Sequence, residues 1–174
     1  MLDGISDTVS GGLIAITSSV VTLVGAIWVD NLRSKRDQKI KRYELLYSPC
    51  ASKLEVIIEL FKKMEILYDE RSGYDPKTSA YDGENAKLYN DYGLVYNNFE
   101  LQCKDLIGII SKNIHLSMYR DWKYFTSVRQ TMDRIIIETT LDQEKKFHIS
   151  SVVEGKEILN QLKRMKVISK RISN

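Results

Sequence analysis

Basic residues are the side chains of this chain whose number and spacing most clearly suggest chemistry. Residues 30–42 contain six Lys or Arg against two acids, and residues 158–174 contain five Lys or Arg and no acid. Clustered ammonium and guanidinium groups can bind phosphates, carboxylates or anionic lipid headgroups. The candidate anion- or lipid-binding residues are Arg33, Lys35, Arg36, Lys39, Lys41, Arg42, Lys163, Arg164 and Lys166.

Both basic clusters also have simpler interpretations. Cations beside a membrane span mark its cytoplasmic side and need not bind a ligand. In an oligomer the same residues would form stacked cationic rings, which could select anions or hold an anionic ligand. Near the C-terminus, Lys170 and Arg171 fit the dipole of a helix end, and the other cations fit a solvated helix face. The sequence leaves these alternatives open.

Catalytic and metal-binding patterns are not found. His115 and His148 have no partner at metal-ligand spacing, and Cys50 and Cys103 form a lone, widely spaced pair that we interpret as packed thiols. The chain contains no GxxxxGK, GxGxxG, GxSxG or HExxH pattern. We therefore predict no catalytic residue, no metal site and no cofactor, and we do not expect an enzyme.

A stripe of small and hydroxylated residues runs through the uncharged segment 8–29. Its members follow steps of three and four residues, so on a helix they share one face while bulky aliphatic residues fill the rest. Small residues let helix backbones approach in lipid, and hydroxyls can bond across the contact. The predicted pore or helix-interface residues are Thr8, Gly11, Ala15, Ser18, Thr22 and Gly25.

The stripe predicts a homo-oligomer, with two geometries left open. One is a dimer contact, and the other is a higher-order ring whose hydroxyls face a lumen. A solitary anchor or a heteromeric partner would also be compatible with the stripe. The charge of +3 for the whole chain is too small to indicate nucleic-acid binding by itself.

The uncharged segment is long enough to cross a bilayer, which takes about 20 apolar residues. Two acids precede it and six cations follow it, so we expect the N-terminus outside and the remaining chain in the cytoplasm, at the cell inner membrane. Trp28 lies where an interfacial aromatic residue is expected. A buried core helix is the main alternative, and a removed signal peptide fits less well because the cations follow the apolar run.

Amphipathic periodicity organises the rest of the chain, and no segment alternates like a strand. We predict an all-α fold, in which a transmembrane helix continues through a basic stalk into a cytosolic four-helix bundle. Ser48 and Pro49 are expected to end the stalk helix and start the next one. The predicted parts are an external tail at 1–7, the span at 8–29, the stalk at 30–48 and the bundle at 49–174.

Four helices are expected in the bundle, at about 49–69, 84–111 and 116–140 and from Ser150 onward. For the last helix, Ser150 or Ser151 with Glu154 resembles a capping box. The predicted buried face of the third helix begins with Met118 and Trp122. The complete predicted buried faces are Leu54, Ile57, Phe61, Met64 and Tyr68; Leu88, Tyr92, Val95, Phe99, Cys103, Leu106 and Ile110; Met118, Trp122, Phe125, Val128, Met132 and Ile135; and Ile158, Leu162, Met165, Ile168 and Ile172.

The order of these parts resembles small bacterial membrane proteins of prophage and defence operons. The resemblance covers residues 10–65 and is carried by one N-terminal span, the Lys/Arg-rich stalk and the segment RYELLYSPCASKLEVIIELF. Several such families are membrane effectors, in which a nucleotide or oligonucleotide sensed by the cytosolic domain controls the span. The resemblance therefore implies an antiviral effector, but it assigns no functional residue to this chain.

Two functions are compatible with the sequence. The first is a homo-oligomeric membrane effector that forms an ion-conducting or membrane-disrupting channel, controlled by an anionic nucleotide or oligonucleotide at the helical domain. The second is a membrane-anchored scaffold that recruits a cytosolic protein partner and conducts nothing. The expected partners are thus membrane lipid, further copies of the chain, and either such a ligand or a cytosolic protein.

Overall fold

The computed structural model describes residues 3–72, 83–142, 145–146 and 148–173. Side chains are described within these ranges from Thr22 onward, except at 71–72, 84–85 and 173. All regular structure in the described ranges is helical, which confirms the predicted all-α class. The chain divides into two compact units, residues 1–40 and residues 41–174, so that the end of the predicted stalk belongs to the second unit.

The first unit consists of helix α1, Asp3–Arg42, which runs into the start of the second unit. No proline occurs before Pro49, so nothing in the sequence interrupts the hydrogen-bond ladder over these 40 residues. One helix runs from the uncharged segment into the basic segment, and it ends at Arg42, before the predicted end of the stalk at 48. At 1.5 Å per residue, α1 is about 60 Å long.

The predicted membrane span lies partly outside the described side chains, because those of residues 8–21 are not described. Within the residues that the structure does describe, no helix combines the length and the apolar character needed to cross a membrane.

A π-helical turn, Tyr43–Tyr47, joins α1 to the bundle. The N–H of Ser48 donates to the carbonyl of Tyr43, five residues earlier, and Ser48 itself has helical dihedral angles. The prediction that Ser48 caps a new helix is therefore wrong. Pro49 has no N–H, and its ring would clash with the carbonyl four residues earlier in a regular α-helix. A wider turn directly before the proline accommodates it without ending the helix.

Helices α2 to α5 form a helical bundle in the second unit, in which α2 packs against α3 and α5, and α3 packs against α4. Short 3-10 turns precede α4 and α5, at Ile114–Leu116 and Ile149–Ser151. The bounds of the four helices are Ser48–Ser72 for α2, Gly83–Asn113 for α3, Tyr119–Leu141 for α4 and Gly155–Ser173 for α5.

The starts of α4 and α5 differ from the predictions. Met118 is extended because its N–H donates to the hydroxyl of Tyr47 at 3.1 Å, so α4 begins after it rather than at Leu116. Ser151 lies in the 3-10 turn and its hydroxyl donates to the carbonyl of His148 at 2.7 Å. The predicted capping box is therefore wrong, and α5 begins at Gly155.

The core contains most of the predicted apolar faces. Burial of each large aliphatic or aromatic side chain stabilises the fold by about 1.5–3 kcal/mol before the entropy cost of ordering it. The prediction is wrong for Trp122, because half of this side chain is exposed while the neighbouring Asp121 is buried. Tyr68, Leu88 and Met118 are only partly buried. The fully buried large side chains are Tyr47, Phe61, Phe99, Phe125, Leu46, Leu54, Ile57, Met64, Leu106, Ile110, Met132 and Ile135.

Polar side chains connect α4 to α5. The hydroxyl of Tyr124 donates to the carbonyl of Gln161 at 2.6 Å, and the amide of Gln161 donates to the Thr131 hydroxyl at 3.0 Å. Arg134 pairs with Glu157 at 3.1 Å. These directional contacts fix the register of α5 along α4, which apolar packing alone would specify less sharply.

Gly155, the first residue of α5, allows this helix to approach α2 closely. A Cβ atom at this position would lie 2.8 Å from Cε1 of Phe61, a ring that is almost fully buried. A ring enclosed in a packed core cannot move aside freely. The absence of a side chain at Gly155 therefore sets the distance between the N-terminus of α5 and α2.

We expect Gly155→Ala to destabilise the bundle by about 1–3 kcal/mol, the usual cost of overpacking a core. Gly108→Ala is the matched control, since a Cβ at Gly108 meets no atom within 4 Å and alanine is the better helix former. Chemical denaturation followed by circular dichroism measures both changes. An equal or smaller loss for Gly155→Ala than for Gly108→Ala would contradict the close approach.

Candidate functional site

The predicted pore or interface stripe lies on one continuous helix. All six positions belong to α1, so their backbone positions keep the steps of three and four residues that place them on one face. The side chains of Thr8, Gly11, Ala15 and Ser18 lie outside the described residues. Thr22 and Gly25 are described and exposed.

Apolar side chains on the next part of α1 are also exposed. Leu23, Ile27 and Trp28 are 63%, 55% and 64% exposed, and every residue from 22 to 41 falls in the exposed class. Helices of water-soluble proteins usually bury an apolar stripe of this size against the core. Within the described residues, this part of α1 thus carries large apolar side chains that are more than half exposed.

The stalk cations follow this apolar segment directly. Arg33, Lys35, Arg36 and Lys39 are exposed on α1, and at about 100° per residue they fall within an arc of roughly 160° on one side of the helix. Lys41 is exposed and Arg42 is partly buried, both in the second unit. Exposed cations on one side of a helix can meet either a layer of anionic headgroups or an anionic ligand.

The C-terminal cations do not converge on one site. Lys166 pairs with Glu55 of α2 at 2.6 Å, whereas the guanidinium of Arg164 lies 5.0 Å from the centre of the Tyr124 ring on α4. Lys163 is exposed. Two of the three predicted anion ligands are thus engaged with different helices of the same bundle.

A buried charged network, which the sequence did not reveal, lies where the π turn enters the bundle. Both carboxylate oxygens of Asp121 accept from Nη2 of Arg171, at 2.9 and 2.7 Å, and Oδ2 also accepts from the Tyr47 hydroxyl at 3.1 Å. Asp121 is 4% exposed. The network joins the π turn, the start of α4 and the end of α5, and we call it the joint network.

Tyr47 is the central residue of the joint network. Its hydroxyl donates to Asp121 and accepts from the N–H of Met118, and its ring packs edge-on against Phe125 with centroids 5.1 Å apart. Burial raises the pKa of Tyr47 to about 12. The hydroxyl therefore stays protonated well above neutral pH, so Tyr47 keeps its donor role across that range.

Two adjoining clefts form a groove between α2 and residues 148–159. Their volumes are about 480 Å³ and 560 Å³, and Lys62, Glu65 and Ser150 line both. We call this feature the α2 groove. Its apolar part comprises Ile58, Phe61, Met64, Ile149, Ile158 and Leu159, and its charged residues are Lys62, Glu65, Asp69, Glu154 and Lys156.

An aromatic pair stands at one end of the α2 groove. The rings of Tyr68 and His148 stack with centroids 4.6 Å apart and lie within 5° of parallel. His148 is therefore a packing histidine, one of the roles that its sequence context allowed. Nearby, desolvation and the charge of Asp69 raise the pKa of Glu65. The groove thus combines a flat aromatic surface, an apolar floor and charges of both signs.

Helix α5 takes part in both the α2 groove and the joint network. Glu154 and Gly155 line the groove at its N-terminal end, and Arg171 binds Asp121 near its C-terminal end. A helix of this length spans about 28 Å. The same helix therefore lines the groove at one end and contacts the π turn near the other.

The two cysteines are free thiols buried in the core. Burial raises the pKa of Cys50 to about 12, and it also raises the pKa of Cys103. Both thiols therefore remain protonated at neutral pH, which disfavours a thiolate nucleophile or ligand. In the part of the chain that the structure describes, no cluster of His, Cys, Asp or Glu could hold a metal ion.

The chain matches no family model, no curated protein and no solved structure.

The joint network predicts unequal effects for two cations of α5. Arg171→Ala leaves the buried carboxylate of Asp121 without its cation and should lower the free energy of unfolding by about 2–3 kcal/mol, less than for a fully buried pair because Arg171 is partly exposed. Lys166→Ala removes an exposed pair with Glu55 and should cost at most about 1 kcal/mol. Urea unfolding curves measure both losses. Similar losses for the two variants would show that the network does not hold the joint.

Proposed function

We propose that the protein is a single-span membrane effector, with its N-terminus outside the cell inner membrane and its helical bundle in the cytoplasm. The observation that carries this proposal is the exposed apolar surface of α1 at Leu23, Val24, Ile27 and Trp28. In water such a surface costs free energy roughly in proportion to its area, and a bilayer removes that cost. The neighbouring uncharged residues from Thr8 onward extend the same helix.

Length and charge agree with this arrangement. As a helix, residues 8–29 rise about 33 Å, and a hydrocarbon core is about 30 Å thick. Trp28 falls at the cytoplasmic interface, where tryptophan is enriched. The exposed cations from Arg33 to Lys39 follow within the headgroup layer, each gaining about 1 kcal/mol near an anionic surface.

Assembly through the small-residue stripe is the second part of the proposal. A continuous α1 keeps Gly11, Ala15, Ser18 and Thr22 on one face, where backbones of neighbouring copies can approach. In a ring, the hydroxyls of Thr8, Ser18 and Thr22 would hydrate a narrow path without a buried charge, which would cost about 2.5–3.5 kcal/mol on the insertion scale. The stalk cations would lie at its cytoplasmic mouth and favour anions.

The third part of the proposal is that a ligand binding to the bundle controls the spans. The position of α5, which contacts both the α2 groove and the joint network, supports this part. A nucleotide or oligonucleotide that binds one arrangement of the bundle better than another would shift the population of that arrangement. Because α5 reaches from the α2 groove to the joint network, a displacement of its N-terminal end would act on Arg171 and hence on Tyr47. The π turn at Tyr43–Tyr47 is the segment through which such a change would reach α1.

A membrane-anchored scaffold is the second candidate function. Exposed apolar side chains on the bundle favour it, since Leu94, Leu101 and Leu141 are each more than half exposed. They would form part of a docking surface for a cytosolic protein, and the spans would then conduct nothing.

Insertion and orientation are tested by cysteine accessibility in intact cells. Since both native cysteines are buried, single cysteines placed at Asp3 and at Lys163 should be the main reactive thiols. A membrane-impermeant maleimide should label Asp3→Cys from outside and should label Lys163→Cys only after the cells are opened. Labelling of Lys163→Cys in intact cells would contradict the orientation, and recovery of the chain without membranes would contradict insertion.

Conduction is tested with purified protein in vesicles. Small ions should pass, and the double variant Ser18→Leu with Thr22→Leu should abolish the flux because leucine fills and dries the path. Val20→Leu with Val24→Leu, on the bulky face, is the matched control and should retain both flux and cross-linked oligomers. If well-folded oligomers leave the vesicles tight with and without every nucleotide tested, the scaffold function replaces the channel.

A further inference from the structure

We propose that the α2 groove is the ligand site of the bundle, and that it takes a nucleoside or a nucleotide of low charge. This inference rests on the proposed control by a ligand and names its site and chemical class. The adjoining clefts of about 480 and 560 Å³ have the size of pockets that hold small organic molecules.

The aromatic pair selects a flat ligand. Tyr68 is partly buried and its ring is held parallel to that of His148, whose side chain is exposed. A preformed stack presents an outer ring face on which a planar base can lie, with little entropy lost on binding. Stacking of this kind tolerates any base, because every base has a π-face.

The apolar wall of the groove favours a ligand with an apolar body. Ile58 and Leu159 line one cleft together with Phe61 and Ile158, whose side chains are almost fully buried behind them. Ser150 lines both clefts and can donate to or accept from a ribose hydroxyl.

The charges of the groove set a limit on the charge of the ligand. Three carboxylates, Glu65, Asp69 and Glu154, line it together with the two ammonium groups of Lys62 and Lys156. The balance is slightly negative, so a chain of phosphates gains no net attraction there. This balance favours a nucleoside or a monophosphate, whose single phosphate can reach one lysine, over an oligonucleotide.

Isothermal titration of the detergent-solubilised full-length protein tests the site with three probes: adenosine, adenosine monophosphate and a short oligoadenylate. Adenosine should bind, and the oligoadenylate should bind most weakly. Tyr68→Ala and His148→Ala should each lower the affinity for adenosine about tenfold by removing half of the stack. Tyr119→Ala is the matched control, because Tyr119 is 97% exposed and lies outside the groove.

Glu65→Gln separates charge from stacking. It should strengthen binding of the monophosphate while leaving adenosine unchanged, since it removes a negative charge and keeps the shape of the side chain. No binding of adenosine to folded protein, equal losses for Tyr68→Ala and Tyr119→Ala, or tightest binding of the oligoadenylate would each overturn the assignment. If the protein binds adenosine but passes no ions in the vesicle experiment, the proposed conduction is wrong and the assignment of the α2 groove as the ligand site stands.

Discussion

The carboxylate of Asp121 is the constraint on which the packing of the π turn against α4 and α5 depends. A buried charge is tolerated only when it is paired and hydrogen-bonded, and Arg171 and Tyr47 supply both conditions. Meeting them requires the end of α5, the start of α4 and the π turn to come together. The extended conformation of Met118, whose N–H binds the same tyrosine hydroxyl, follows from this meeting.

The π turn solves a geometric conflict at the same place. Pro49 would normally stop a helix, yet the chain must continue from the stalk into α2 without a loop. The shift from an i−4 to an i−5 hydrogen bond absorbs the proline, and it turns the buried face so that Leu46, Tyr47 and Cys50 enter the core. Such turns are frequent at functional sites, and here the turn lies at the start of the packed bundle.

Helix α5 gives the bundle its internal connection. Its N-terminal end lies against Phe61 because Gly155 has no side chain, and its register along α4 is held by hydrogen bonds to Thr131 and from Tyr124. The same register places Arg171 opposite Asp121, where its guanidinium donates to both carboxylate oxygens.

Local periodicity was sufficient to predict the helices and most of their buried faces, because the apolar stripe of an amphipathic helix faces the core. The sequence by itself determined the all-α class, the long α1 and the exposed basic segment. Tertiary structure decided what depends on residues far apart in the chain: burial of Asp121 instead of Trp122, dispersal of Arg164 and Lys166 onto different helices, and a groove between α2 and residues 148–159. A charged side chain is buried at low cost only when an oppositely charged group pairs with it. The partner of Asp121 is Arg171, which is 50 residues away in the sequence, so no local pattern predicts the pair.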